Sequence, residues 1–158
     1  MRKFFMIVGI VAVIAILGGG VGVFVLARNG AALDSASKAY TEASVPAIAA
    51  NWDVDALWKR ASPALRKVAT RDQIEGMFIA AKQALGPMVE YRGSRGQAMM
   101  GVNNAHAVVS AQYVASARFQ KGAADFRVGL VKIGDDWMIQ GFHIDSPALM
   151  QRLVGTKS

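Results

Sequence analysis

The stretch NAHAVVSAQYVASARFQKGAADFRVGLVKIGDDWMIQGFHIDS, residues 104–146, alternates in side-chain character over almost its whole length. From Ala105 to Phe119, small or apolar residues take every second position: Ala105, Ala107, Val109, Ala111, Tyr113, Ala115, Ala117 and Phe119. His106, Ser110, Gln112, Ser116 and Arg118 stand between them, which is the period-2 pattern of a strand with one buried face. Gln120-Lys121-Gly122 then turns the chain into Ala124, Phe126, Val128 and Leu130, which alternate with Asp125, Arg127 and Gly129. A second turn at Gly134-Asp135 delivers Trp137 to Ile144, so the spacing predicts an antiparallel meander. Met88 to Met100 supplies a first strand, interrupted near Gly93 and Gly96, before a turn at Asn103-Asn104. The sheet therefore has about four strands.

Upstream, the pattern changes to helical spacing. Asp34 is the expected N-cap of a helix carrying Ala36, Ala39, Tyr40 and Ala43 on one face, with Asn29 to Leu33 as a linker. Pro46 should kink or divide that helix, because it lacks an N–H and clashes one turn back. Ile48 and Trp52 continue its apolar side. Asp53 opens a second, short helix with Leu57 and Trp58, and Pro63 closes the region. Thr70 and Gln73 have capping-box spacing. Behind them Ile74, Met77, Phe78, Ala81 and Leu85 form an amphipathic stripe that Gly86-Pro87 ends. Pro147 onward, residues 147–158, reads as a C-terminal tail. The class is α+β: three helices packed on an antiparallel sheet, in a domain spanning 34–146.

The 158 residues allow one domain plus an appendage. Hydrophobic content is 53%, and the excess is concentrated at the N-terminus. Phe4 to Leu26 is 23 residues without a charge, 15 of them Phe, Ile, Leu or Val. As a helix it would reach roughly 34 Å, enough for a hydrocarbon core of about 30 Å. Residues 1–28 therefore read as a transmembrane signal-anchor. Arg2 and Lys3 before it, against Arg28 alone directly after it, put the N-terminus in the cytoplasm and the domain outside. A cleaved leader ending near Gly30 and Ala32 is the rival reading, but its apolar core would be unusually long. Gly18 and Gly22 have the spacing of a helix-contact motif, within a segment of five glycines that makes the spacing unremarkable.

The net charge is +7; of the 18 basic residues Arg2, Lys3 and Arg28 flank the apolar run, and the remaining 15 exceed the 11 acidic ones only by four. That excess is too diffuse to imply nucleic acid. With no cysteine, disulfides, thiolate metal sites and thiol catalysis are excluded. No His-x-x-x-His, paired-carboxylate or carboxylate-rich calcium loop occurs, and so no metal or cofactor is expected. Glycine-rich phosphate loops and a nucleophile elbow are likewise missing from the sequence.

The helices-then-meander order, Trp58 to Leu65 (WKRASPAL), Gly86 after the main helix and the final Lys-x-Gly-Asp-x-Trp-x-Ile-x-Gly-Phe run resemble the nuclear-transport-factor-2-like superfamily. The likeness covers roughly Asp34 to Ser146 and is closest to small exported bacterial members of unknown function. It implies a cone-shaped domain with a curved sheet. It also implies a place on the outer side of a bacterial inner membrane, as a single-pass protein with a periplasmic domain. The superfamily includes isomerases, dehydratases, hydrolases, transport receptors and secretion-system assembly subunits, so the fold leaves the activity open.

The cone of such domains often holds a pocket, which makes inward polar residues the first candidates. Tyr113 lies on the apolar parity, and Tyr40 and Tyr91 could face the same cavity. His106 has outward parity. His143 shares the parity of Trp137 and Ile139, with Asp145 two residues on and Asp125 on a neighbouring strand, so Tyr113, His143 and Asp145 are the candidate acid–base set. Lys59, Arg60, Arg66, Lys67 and Arg71 form a basic cluster suited to anionic headgroups or an acidic partner, with Arg92 and Arg95 further on. Two functional expectations follow. One is a membrane-anchored module that recruits a protein partner or a small apolar ligand; the other is an isomerase- or dehydratase-type enzyme working in the cone.

Overall fold

The computed structural model describes residues 30–155. Helices α1 (Gly30–Ala49), α2 (Val54–Arg60), α3 (Pro63–Val68) and α4 (Arg71–Leu85) precede strands β1 (Met88–Asn103), β2 (His106–Phe119), β3 (Gly122–Ile133) and β4 (Asp136–Asp145), and α5 (Pro147–Gly155) closes the domain. The strands form one antiparallel sheet in the order β1-β2-β3-β4. The expected span at 4–26 lies outside the described residues. Among those described, no helix is long and apolar enough to cross a membrane.

The alternation predicted for β2 and β3 is observed. Ala111, Tyr113, Ala115, Ala117 and Phe119 are buried on one face of β2, and Ala124, Phe126, Val128 and Leu130 on the same face of β3. Helices cover this face. Trp52 stacks on Phe119 at 5.1 Å between centroids, Phe78 meets Phe142 edge-on at 6.2 Å, and Phe126 lies 5.5 Å from Phe142. These aromatics bind the helical layer to the sheet. Trp52 adopts a left-handed φ of 53° where α1 ends, and its indole Nε1 donates to the Gly86 carbonyl at 3.0 Å.

The helix starts follow from local chemistry. Asp53 Oδ1 accepts from the N–H groups of Asp55 (2.9 Å) and Ala56 (3.2 Å). Ser62 Oγ accepts from Leu65 N at 3.2 Å, and Pro63 takes the first helical position. Pro63 therefore begins a helix instead of closing one, and four helices precede the sheet where the sequence suggested three. Thr70 and Gln73 make both bonds of the capping box, and Gly86 ends α4 with φ 74°.

α1 departs most from expectation. It begins at Gly30, so residues 30–33 are helical and Asp34 is no cap; its carboxylate accepts from Ala98 N on β1 at 2.6 Å instead. The helix continues through Pro46. Its buried face is Ser37, Thr41, Ser44, Val45 and Ile48, while Ala36, Ala39 and Ala43 are exposed. Hydroxyls can occupy this interface because they are satisfied locally: Thr41 Oγ1 donates to the Ser37 carbonyl at 2.9 Å, and Ser37 Oγ to that of Asp34 at 3.2 Å. At the other end, residues 147–155 form a helix that belongs to the domain. Leu149 is buried, and Arg152 Nη2 donates to Gln83 Oε1 at 2.5 Å.

Three irregularities shape the sheet, the first a shift between Met88↔Phe119 and Glu90↔Arg118 at the start of β1. In β1 the pairing shifts between Tyr91↔Ala117 and Ser94↔Ala115, a bulge at Arg92-Gly93 where Gly93 has φ 92°. In β4 it shifts between Gly129↔Gly141 and Leu130↔Ile139, leaving Gln140 as the unpaired extra residue. Ile139 is buried before this point, and Phe142 and Ile144 after it.

Candidate functional site

Gln140 decides where the histidine goes. Uninterrupted alternation from Trp137 would carry His143 and Asp145 inward, but one inserted residue exchanges the faces. Phe142 and Ile144 enter the core; His143 and Asp145 stand on the outer face. There they meet β3: Asp125 pairs with Asp145 and Arg127 with His143. His143 Nε2 lies 3.2 Å from Asp145 Oδ1, Arg127 Nη2 donates to Asp145 Oδ2 at 2.7 Å, and Ser116 Oγ donates to Asp125 Oδ1 at 2.6 Å. Histidine and carboxylates thus come together, at a distance that their spacing in the sequence does not fix. They do so on the open side of the sheet, where Arg127 already holds the aspartate.

Tyr113 is on the opposite face. Its side chain is 2% exposed; its hydroxyl lies 2.8 Å from Ser37 Oγ and donates to the Asp34 carbonyl at 3.1 Å. The sheet separates it from His143, so the expected set Tyr113, His143 and Asp145 does not converge. The interior itself is filled. The apolar cavity beneath α2, α3 and α4, lined by Leu57, Leu65, Ile74, Met77 and Phe142, measures about 30 Å³. That is room for little more than one water. Tyr40, Tyr91 and Tyr113 line no shared cavity with it. Burial raises the Tyr40 phenol above its ordinary range, against the lowering effect of Arg60. Tyr91 is pushed up further, by burial first and by the Glu42 carboxylate second. Its hydroxyl is buried, with the Glu42 carboxylate and the Ser94 side chain as its polar neighbours.

A second concavity opens at the β1 bulge. It is a polar groove of about 460 Å³ between α1 and the β1–β2 edge, lined by Lys38, Glu42, Arg92, Gly93, Arg95 and Ser116 among others. Glu42 Oε1 accepts from Ser94 N at 2.8 Å and Ser94 Oγ at 2.5 Å, which fixes the helix to the bulge. Sequence reasoning had the arginines and the glycine interruption, and glycine within a strand is the signal of a bulge. Glu42 and Lys38 carried no such mark, since their partners lie far along the chain.

The basic cluster divides into held and free members. Arg71 pairs with Asp55, and Arg60 Nη1 donates to the Ala56 carbonyl at 2.8 Å. Arg66 lies 5.2 Å over the Trp58 ring and donates to the Trp58 carbonyl at 2.7 Å. Lys59 and Lys67 are exposed and make no ion pair within the described residues. Among those residues no group of histidines and carboxylates is arranged to hold a metal ion. Comparison with protein-family models, curated proteins and solved structures gives no match for this chain.

Proposed function

We propose that this chain is a membrane-anchored binding module of the nuclear-transport-factor-2-like type that recruits a protein partner through its surface on the outer side of a bacterial inner membrane. The carrying observation is the close packing of helices on the sheet: the apolar cavity between them measures about 30 Å³, far below the size of a small-molecule site. What it offers outward is charge. α2, α3 and the start of α4 present Lys59, Arg60, Arg66, Lys67 and Arg71, with Trp58 half-buried beneath Arg66. An aromatic under a guanidinium, with exposed Lys59 and Lys67 on the same two helices, suits an acidic protein surface. The curved-cone description and the family rest on element order and on the quoted motifs. The anchor rests on the uncharged run 4–26 and its flanking charges.

The test is extraction of the full chain from its native membrane in mild detergent, with mass spectrometry of what co-purifies in stoichiometric amount. Lys59→Glu with Lys67→Glu is the appropriate charge reversal, because Arg66 and Arg71 also hold the fold together. The expected result is loss of the partner from the double variant with its melting temperature unchanged. A protein that elutes alone, or a partner indifferent to both lysines, would sink this reading.

A further inference from the structure

We propose that the groove at the β1 bulge, walled by Lys38, Arg92 and Arg95, is a binding site for a phosphate group. The inference goes beyond the recruiting role and does not depend on it, since it concerns a different face of the domain.

The groove is open to solvent and measures about 460 Å³, a volume within the range of small-molecule sites. Its charges are unequally satisfied. Glu42, its one acidic lining residue, has Oε1 occupied by Ser94 N–H and Oγ and serves as a brace. Arg92 Nε is held by Glu90 Oε2 at 3.3 Å, a carboxylate that Arg118 also reaches at 3.6 Å. Lys38 and Arg95 are exposed and have no ion-pair partner among the described residues. Two unpaired cations and a third shared one therefore border a single open volume.

The backbone leaves that volume empty. Gly93 stands at the bulge with φ 92°, and a Cβ placed there would have Glu42 Oε1 as its nearest neighbour, at 3.9 Å. The Ser116 hydroxyl donates to Asp125, so toward the groove it is an acceptor, and the donors available there are the cations. An anion with several oxygens can share them among a guanidinium fork and an ammonium, which a phosphate ester does and a lone carboxylate does less fully. Lys38 lies about 12 Å along α1 from Gly30, at about 1.5 Å per residue. A phospholipid headgroup near the point where the chain enters the domain and a soluble phosphate ester share this chemistry, and experiment separates them.

The full chain in maltoside micelles would be titrated calorimetrically with inorganic phosphate, and separately with micelles carrying dioctanoyl phosphatidylglycerol. Saturable binding is expected, weakened about tenfold or more in Lys38→Gln/Arg95→Gln. Lys59→Gln/Lys67→Gln, outside the groove, should stay within about twofold. Arg95→Lys keeps the charge and loses the fork, and should fall between the two. Binding of the lipid alone assigns a headgroup; binding of inorganic phosphate as well assigns a soluble phosphate compound. Saturable binding of neither probe overturns the proposal, as does equal loss from both glutamine pairs. All replaced side chains are exposed, and unfolding midpoints of the variants check that the fold survives.

Discussion

Removing the Tyr113 hydroxyl should cost more than removing the Tyr91 hydroxyl, although both are tyrosines of the helix-covered face. Tyr113 is bonded to Ser37 and the Asp34 carbonyl, so Tyr113→Phe should cost about 1–2 kcal/mol in urea denaturation. The Tyr91 hydroxyl is buried beside the Glu42 carboxylate and the Ser94 side chain but outside close hydrogen-bond geometry, so Tyr91→Phe should cost less, under about 1 kcal/mol. The pH dependence follows from the same atoms. Tyr91 has its folded-state pKa raised, so the stabilisation is complete below the ordinary phenol value of about 10 and is lost as pH rises beyond it. A series of urea midpoints from about pH 8 to 11 should therefore decline at the alkaline end. Tyr91→Phe should flatten that decline, leaving the smaller share due to Tyr40.

The strands and helices differ in how openly the sequence declares them. β2 and β3 keep strict alternation because one face is core and the other solvent throughout, and α4 carries both its cap residues in plain view. Thr70→Ala should accordingly cost about 1 kcal/mol of thermal or chemical stability. β4 was legible as a strand but not as a bulged one. Gln140 and Gly141 are both non-core residues, so an alternation read through them is consistent with either face. α1 misleads in another way: alanines exposed to solvent look like a core stripe, while the hydroxyls that actually face Tyr113 look like a surface. No local pattern reveals a bond made across the fold. Gly96 belongs to the same class. A Cβ there would fall inside van der Waals distance of the Gln112 carbonyl oxygen on β2, a contact that sequence alone cannot announce. Gly96→Ala should cost roughly 3 kcal/mol or more, or prevent folding, as read by circular dichroism and melting.

At the scale of the molecule, the division is between an apolar interior and a charged exterior. The helical layer and the aromatic cluster of Trp52, Phe78, Phe119, Phe126 and Phe142 use the helix-covered side of the sheet for cohesion. Chemistry is left to the rim and to the outer face. If the uncharged run 4–26 anchors the chain, the full-length protein should stay in the membrane pellet after alkaline carbonate washing; release into the supernatant would contradict the anchor. The bulge at Gln140 also bears on how such a domain changes over time. Side-chain identity and side-chain address are separate variables here, and a length change edits the second while leaving the first untouched. Excising Gln140 would send His143 and Asp145 toward the interior and turn Phe142 and Ile144 out to water. An acid–base pair inside the domain is therefore a single codon deletion away. The barrier to that step is the loss of two core side chains at about 1.5–3 kcal/mol each, enough to threaten a fold of ordinary stability. A lineage could cross it only after surplus stability had accumulated elsewhere, so the present outward histidine is held in place by the core's need for Phe142 and Ile144.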